Sequence, residues 1–145
     1  MPKITTLQDN IRRLNKRLKL LPTVAESVVF AVIDKESELL EDFNKKQLRQ
    51  GLRSDGSEIT PYYRNILYKG RIKPVDLRNT GAFYESITVT VLDNSVEYNA
   101  TDSKTEELQA KYGTKILGLS SENKRLFFKR MIPIINKDIL DYLKS

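Results

Sequence analysis

The sequence predicts an α+β domain with long N-terminal helices, a small antiparallel β-sheet containing a hairpin, and a C-terminal helix bent at a proline. Two patterns support this prediction. Apolar residues recur every three or four positions over residues 4–48 and again over 126–143, which is the spacing of one face of a helix. Between them, residues 86–100 alternate apolar with polar side chains, as a strand with one buried face does.

The first predicted helix combines an apolar stripe with a cluster of cations. The stripe consists of Ile4, Leu7, Ile11, Leu14, Leu18 and Leu21. Residues 1–20 also contain six basic side chains and one acid, so they carry most of the net charge of +6. We expect Thr5 or Thr6 to cap this helix, and Pro22 to end it because proline lacks a backbone donor.

A second, longer helix is predicted from Thr23 to Gln50, with Gly51 as its terminator. Its buried side is outlined by Val24, Val28, Ala31, Val32, Leu39, Leu40, Phe43 and Leu48. Its hydrated acidic face is formed by Asp34, Glu36, Glu38, Glu41 and Asp42. The apolar pattern weakens at residues 35–37, where we expect a kink or a contact with a partner.

Residues 53–77 show no strong periodicity. They contain the turn pair Asp55-Gly56, several basic residues, and the tyrosines Tyr62, Tyr63 and Tyr68. Irregular segments of this length in compact domains are usually functional or disordered. We therefore predict a surface arm that is ordered by contact with another subunit. The chain is expected to comprise a basic amphipathic helix at 1–22 and a single α+β domain at 23–145 that carries this arm.

The clearest β pattern lies in residues 86–100, where Asp93-Asn94 suits the tight turn of a hairpin. Ser103 and Glu106 then have the spacing of a capping box, which predicts the start of a short helix. We expect that helix to end at Gly113.

The last predicted helix begins at Ser120 or Ser121 and continues to Leu143. Its apolar stripe consists of Leu126, Phe127, Met131, Ile134, Ile135, Ile139, Tyr142 and Leu143. Pro133 lies inside it and is expected to bend it, because proline removes one backbone donor and crowds the carbonyl four residues earlier.

Composition excludes several classes of chemistry. The chain contains no cysteine and no histidine. Disulfides and nucleophilic schemes built on Cys-His or Ser-His are therefore impossible, and a structural zinc site is not expected. No phosphate loop, EF-hand or nucleophile elbow is present. We expect a protein that is not an enzyme and has no catalytic residues, metal or cofactor. No apolar run is long enough to cross a bilayer, so we expect a soluble chain, made in a cytoplasm, with no membrane partner.

Binding to nucleic acid is one alternative that composition leaves open. The basic first helix, the cluster Lys69-Arg71-Lys73 and the pair Lys129-Arg130 suit contacts with phosphates, and the tyrosines offer stacking faces. Against this, the first helix also carries a full apolar stripe, which must be covered by the same chain or by a neighbour. A small basic nucleic-acid-binding or regulatory protein is thus the alternative hypothesis.

Two short segments are the most distinctive features of the sequence. The first, Thr80-Gly81-Ala82-Phe83-Tyr84-Glu85-Ser86-Ile87, enters the predicted hairpin. The second is Tyr112-Gly113-Thr114, which follows the short helix. In isolation each is a structural turn, with glycine taking a conformation that other residues disfavour.

Together these segments resemble the tail-completion or neck proteins of tailed bacteriophages, also described as virion morphogenesis proteins. That family has long N-terminal helices, a Thr-Gly-x-[Leu/Phe]-x-x-Ser-Ile segment entering a sheet, a later [Tyr/Phe]-Gly-Thr element and a C-terminal helix. The matching residues are Thr80, Gly81, Phe83, Ser86, Ile87, Tyr112, Gly113 and Thr114. The resemblance covers residues 24–143, although the family's Pro-aromatic pair after the second element is absent. Residues 103–119 are also similar to virion proteins of crAss-like podoviruses that infect Bacteroides.

The resemblance implies a structural virion protein that forms a homo-oligomeric ring in the head-to-tail connector. Its implied partners are copies of itself, the portal or adaptor protein, and other tail or ring proteins, with nonspecific proximity to DNA in the lumen. Opposite charges suit contacts between adjacent copies in such a ring. The candidate interface residues are Arg12, Arg13, Lys16, Arg17, Glu38, Glu41, Asp42, Tyr62, Tyr63, Tyr68, Lys129 and Arg130. An interaction protein with no virion role is a third hypothesis.

Overall fold

The computed structural model describes residues 6–93 and 95–145. The described part contains helices α1 (Leu7–Lys35), α2 (Ser37–Arg49), α3 (Ile66–Lys69), α4 (Ala82–Ser86), α5 (Thr105–Tyr112) and α6 (Ser121–Lys144), strands β1 (Ile87–Val91) and β2 (Val96–Ala100), and a 3-10 turn (Thr114–Ile116). The two strands form an antiparallel hairpin in which Ile87 pairs with Ala100 and Val91 with Val96. The predicted α+β class, the hairpin and the bent C-terminal helix are confirmed. The predicted turn at Asp93-Asn94 includes Asn94, which lies outside the described residues.

Helix α1 begins where the sequence predicts, at a threonine cap. The Asp9 backbone N–H donates to Thr6 Oγ1 at 3.1 Å, and the Thr6 backbone N–H donates to the Asp9 carboxylate at 3.3 Å. This reciprocal pair is a capping box, which satisfies donors that the first helical turn leaves without partners.

The prediction that Pro22 ends the first helix is wrong, because α1 continues through it to Lys35. An interior proline costs a helix about 3 kcal/mol, so tertiary contacts must hold the helix on both sides of it. On the N-terminal side, Arg17 Nη1 donates to the Leu143 carbonyl of α6 at 3.2 Å. On the C-terminal side, Val32 and Ile33 are buried. The division between residues 1–22 and 23–145 therefore does not coincide with the end of a helix.

The expected kink between residues 35 and 37 is confirmed. Glu36 leaves the helical conformation and separates α1 from α2, while its N–H still donates to the carbonyls of Val32 and Ile33. The predicted second helix is therefore the end of α1 together with α2. Gly51 follows α2 with φ of 73°, and a side chain there would meet Pro74, so the chain passes very close to that proline.

Two apolar clusters form the core. One lies between the second half of α1, α2 and α6, and contains Val32, Ile33, Leu40, Phe43, Leu119, Phe127, Met131 and Ile135. The other gathers irregular segments around α4 and α5, and contains Leu48, Ile59, Val75, Leu77, Phe83, Tyr84, Ile87, Tyr112 and Ile116. The hairpin joins them, since Ile87 belongs to the second cluster while Val89 and Val91 pack against the first.

The ends of α5 test two further predictions. The capping box predicted at Ser103 and Glu106 is wrong: α5 begins at Thr105, and the Asp102 carboxylate instead accepts a hydrogen bond from the Lys104 N–H at 3.1 Å. The chain enters α5 through this turn, in which the Thr105 N–H donates to the Asp102 carbonyl, and the N-cap position falls on Lys104, which makes no side-chain cap. Gly113 ends α5 as predicted.

Helix α6 follows its prediction closely. It is capped by Ser120, whose hydroxyl accepts from the Asn123 N–H at 3.3 Å, and it contains Pro133. Of its predicted stripe, Phe127 and Met131 are buried, whereas Ile134 is exposed.

Candidate functional site

The first distinctive segment is a tight turn that places the rings of Phe83 and Tyr84 in the core. Gly81 has φ of 91°, a conformation that favours glycine, and it precedes the one-turn helix α4. Phe83 is buried, and its carbonyl accepts a hydrogen bond from the Ser86 hydroxyl at 2.8 Å. Ile87 is buried where β1 begins, while the Thr80 hydroxyl accepts from the Ala82 N–H. This segment is therefore a structural junction, as its composition predicts.

The second distinctive segment is tied to the start of the arm. Tyr112 is buried at the end of α5, and its carbonyl accepts a hydrogen bond from Arg53 Nε at 2.8 Å. Gly113 has φ of 97°, and Thr114 begins the 3-10 turn. The same guanidinium donates to the carbonyls of Glu58 and Thr60, so a single side chain organises this corner.

The two segments meet at one cleft. Its volume is about 800 Å³, within the range of ligand-binding pockets. The residues that line it include Thr80, Gly81 and Phe83 from the first segment, Tyr112 from the second, and Tyr62, Tyr63 and Tyr68 from the arm. Ser86, Ile87, Gly113 and Thr114 do not line the cleft. The structure therefore brings together half of the predicted motif residues and all three candidate tyrosines.

The charge of the cleft is predominantly positive. It is lined by the cations Arg64, Lys69, Arg78, Lys104 and Lys111 and by the acids Asp102 and Glu107. The Lys69 ammonium lies 6.0 Å from the Tyr63 ring centroid and 5.7 Å from that of Tyr68, and these two rings meet edge to face. Such cation–ring contacts stabilise partly exposed tyrosines in fixed positions. A cleft of this kind suits an acidic segment of another chain.

The arm, residues 53–77, is fastened to its own chain at both ends. Ile59 near its start and Val75 near its end are buried in the core. Its middle is exposed, with Leu67 at 86% and Tyr68 at 60% exposure. The expectation of an irregular segment is confirmed apart from the short helix α3. Much of its order comes from contacts within the chain, whereas its apolar middle has the exposure expected of a docking surface.

Asp76 is the main polar anchor of the arm. Its carboxylate accepts hydrogen bonds from the Tyr63 hydroxyl at 3.0 Å and from Arg71 Nη2 at 2.8 Å, and it lies 3.6 Å from Lys69 Nζ. Burial alone would raise the pKa of the Asp76 carboxyl, but the Arg78 N–H, the Tyr63 hydroxyl and the two cations outweigh it and lower that pKa. Burial, reinforced by the bond to Asp76, raises the pKa of Tyr63 to about 12. The ionised carboxylate and the neutral phenol thus form a stable pair at neutral pH.

Several candidate charges on the helices are engaged within the chain. Arg17 is half-buried against the end of α6, and Glu41 Oε1 accepts a hydrogen bond from the Val89 N–H of β1 at 3.1 Å. The Arg130 guanidinium carbon lies 5.3 Å from the Phe43 ring centroid. These three residues hold elements of one chain together, which is a different role from the intersubunit contacts predicted for them.

The remaining candidate charges are exposed. They are Arg12, Arg13, Lys16, Glu38, Asp42 and Lys129. Among the described residues, the ion pairs within 4 Å are Lys69–Asp76, Arg71–Asp76, Lys115–Asp55 and Arg125–Glu122, so none of the exposed candidates takes part in one. Their surfaces remain available to partners.

Two functional features were missing from the sequence interpretation. Asn44 and Gln47 are fully buried on α2 and bind the backbone of residues 116–120 through both ends of their amides. The signal for them is a pair of amides one turn apart on the apolar face of a helix. The second feature is which part of the α1 stripe stays uncovered by the chain itself, a point that the sequence interpretation left open: Leu7 is 74% exposed and Leu14 44% exposed.

Comparison of the chain with protein family models, curated proteins and solved structures gives no match. Within residues 6–93 and 95–145, no helix has the length and apolar character needed to span a bilayer. In the same part of the chain, acidic side chains do not gather in groups that could hold a metal ion.

Proposed function

We propose that the chain is a structural virion protein of a tailed bacteriophage and forms a ring in the head-to-tail connector that joins portal and tail. The observation that carries this proposal is the shared cleft. The Thr-Gly segment and the Tyr-Gly-Thr segment are about 25 residues apart in sequence, yet Gly81 and Tyr112 line the same cavity. A concave surface shaped by both segments is the candidate contact with a neighbouring subunit.

The distribution of apolar surface supports a role in assembly. Large apolar side chains are exposed in groups on the N-terminal half of α1, on the arm and on α6. They are Leu7, Ile11, Leu14, Leu18 and Leu20 on α1, Ile66, Leu67, Tyr68 and Ile72 on the arm, and Phe128, Ile132, Ile134 and Leu140 on α6. Grouped apolar exposure is typical of surfaces that other proteins cover.

In this proposal the cleft and the arm are the contacts between adjacent copies. A ring needs a head-to-tail interface, in which two different surfaces of the subunit meet. The cationic cleft beside Tyr68 is one such surface, and the acidic face of α2 with Glu38 and Asp42 has the complementary charge. The portal or adaptor protein and other tail proteins would cover the ends of the ring.

The test is incorporation into particles. Mass spectrometry of purified virions should detect the chain, and mass photometry of the chain expressed with its portal should detect a ring complex. The variant Leu67→Asp, which adds a charge to the exposed middle of the arm, should prevent incorporation. Leu92→Asp, the same change at an exposed leucine that follows β1 and lies outside these groups, is the matched control. A chain that is absent from particles and stays monomeric beside the portal would contradict the proposal.

Binding to nucleic acid remains the second candidate, and one observation favours it. Arg12, Arg13, Lys16 and Lys19 are all exposed on α1. Because phosphate contacts release counterions, replacing all four with alanine should weaken DNA binding and flatten its salt dependence. A matched variant replaces four exposed cations elsewhere, namely Arg64, Lys104, Lys124 and Lys137. Equal affinity of both variants and the wild type would remove α1 as a DNA-binding element.

A further inference from the structure

The apolar stripe of α1 is one continuous seam that is only half covered. Its members recur with alternating steps of three and four residues, the spacing of a coiled-coil seam, and are Leu7, Ile11, Leu14, Leu18, Leu21, Ala25, Val28 and Val32. From Leu21 onward these side chains are half-buried or buried, and Val28 and Val32 belong to the cluster that includes α6. The four members before Leu21 are between 44% and 74% exposed.

Helix α6 covers the seam only as far as Arg17. Arg17 Nη1 donates to the Leu143 carbonyl, and the Tyr142 hydroxyl donates to the Arg17 carbonyl at 3.3 Å. The last turn of α6 therefore lies beside Arg17, and α1 projects beyond it. The projecting segment from Leu7 to Leu18, which we name the α1 extension, is about 18 Å long at 1.5 Å per residue.

The residues beside the seam favour contact between the α1 extension and an identical helix. At 100° per residue, the positions that flank the exposed stripe are Gln8, Asn10, Asn15 and Arg17. Three of them are uncharged, and Arg17 is already held by α6. The exposed cations Arg12, Arg13, Lys16 and Lys19 lie farther round the helix, on its back. Two copies of this segment can therefore meet stripe to stripe without placing like charges next to the contact.

We propose that the α1 extension pairs with the α1 extension of a second copy of the chain, in antiparallel orientation. Antiparallel pairing aligns Leu7 with Leu18 of the second copy, and Ile11 with Leu14 of the second copy. A parallel arrangement is excluded by α6. In that arrangement, the second half of α1 of the second copy would lie on the part of the seam that α6 already covers. The antiparallel copy instead brings the N-terminal end of its α1 to the C-terminal end of α6, where the two helix dipoles attract.

This pairing goes beyond the proposed ring function. A two-fold pair uses the same surface on both copies, so it cannot be the head-to-tail contact that closes a ring. The pairing is expected of the purified chain by itself. In an assembly it would join two subunits, or two rings, through the α1 extension. Its failure leaves the connector proposal intact, since that proposal is decided by incorporation into particles.

The first experiment is sedimentation of the full chain over a concentration series. The wild type should show a reversible dimer, and Leu14→Glu should raise its dissociation constant by about tenfold or more, because the pair would bury an uncompensated charge. Leu20→Glu is a matched control: Leu20 is a leucine of the same helix with 51% exposure, but it lies off the stripe. A wild-type chain that is monomeric throughout, or equal weakening by both variants, would overturn the proposal.

The second experiment determines the orientation, and it is possible because the chain has no cysteine of its own. Chains carrying Ile11→Cys and Leu14→Cys are mixed under mild oxidation. Antiparallel pairing predicts that the mixed disulfide between the two variants dominates over either symmetric disulfide, and that Leu20→Cys gives little product. Dominance of the symmetric disulfide of Leu14→Cys would overturn the antiparallel arrangement.

Discussion

Arg53 Nε donates a hydrogen bond to the carbonyl oxygen of Tyr112 at 2.8 Å, across 59 positions of the chain. The other nitrogens of the guanidinium donate to the carbonyls of Glu58 and Thr60. Each of these three carbonyls lies in or next to a segment without regular structure. One planar side chain with several donors therefore fixes the start of the arm against the end of α5.

Replacing Arg53 with lysine should destabilise this corner while keeping the charge. A lysine ammonium cannot reproduce the planar fork of donors, so we expect a loss of about 2 kcal/mol in the free energy of unfolding. Urea denaturation followed by circular dichroism measures the loss. The matched control is Arg64→Lys, which changes an exposed arginine of the arm. A loss no greater than that of the control would mean that the fork is dispensable.

Alanine substitutions at Gly81 and Gly51 should distinguish the cost of backbone strain from the cost of a steric clash. Gly81 has φ of 91° with open space where a Cβ would lie, so Gly81→Ala should cost only the strain of a left-handed residue, about 1 kcal/mol. At Gly51 the added Cβ would lie 2.6 Å from Pro74 Cβ, which requires the arm to move. We expect Gly51→Ala to cost about 1–3 kcal/mol more than Gly81→Ala. Thermal denaturation of both variants would show equal losses if the contact with Pro74 were unimportant.

The buried amide of Gln47 should contribute more to the free energy of unfolding than the exposed amide of Gln50. It accepts hydrogen bonds from the Ser120 N–H and from Asn123 Nδ2, each at 2.8 Å, and donates to the Gly118 carbonyl at 3.1 Å. Gln47→Leu leaves these groups without partners, so we expect a loss of about 3 kcal/mol in the free energy of unfolding. The same substitution at the exposed Gln50 is the control. Equal stability of the two variants would contradict the assigned role.

Asp76 should make stability depend on pH in the acidic range. The pKa of its carboxyl is lowered in the folded chain, so its stabilising contribution is complete above the unfolded value of about 3.9 and is lost as pH falls through the folded pKa. At pH 7, Asp76→Asn should lower the free energy of unfolding by about 1 kcal/mol, through weaker bonds to Arg71 and Tyr63.

The measurement is urea denaturation of both proteins at pH values from 7 down to 3. The difference between wild type and Asp76→Asn should shrink as pH falls below about 3.9, where the carboxyl of the unfolded chain takes up a proton, and should vanish below the lower pKa of the folded chain. Asp42→Asn, at an exposed position on α2, controls for the general loss of one negative charge. A difference that stays constant over this range would show that the charge of Asp76 contributes nothing.

The elements that local patterns determine were predictable. The stripes of α1 and α6, the hairpin, the start of α6 and the terminator at Gly113 all follow from residues within one or two turns of each other. The end predicted at Pro22 was wrong because a local rule was applied where contacts with α6, more than 100 positions away in sequence, decide the outcome.

The candidate site was predictable only in part, for a similar reason. The motif residues were named correctly as structural turns, but the cleft that they share depends on how the arm folds back. That path is held by Arg53 and Asp76, whose partners are carbonyls and side chains in other segments. An arginine or aspartate in an irregular stretch gives no local indication of such a role. The contacts of Glu41 with β1 and of Arg130 with the Phe43 ring were missed because both residues lie on helix faces that otherwise look hydrated.

The bond between Glu41 and the Val89 N–H also bears on aggregation. A hairpin has outer edges on which another strand can form a ladder, and such additions are a common route to aggregates. Here the Glu41 carboxylate of α2 already accepts a hydrogen bond from the Val89 N–H, in the middle of the outer edge of β1. An incoming strand would have to displace this acid and bring its own backbone beside a negative charge. Glu41 therefore blocks the addition of a further strand to β1 at this position.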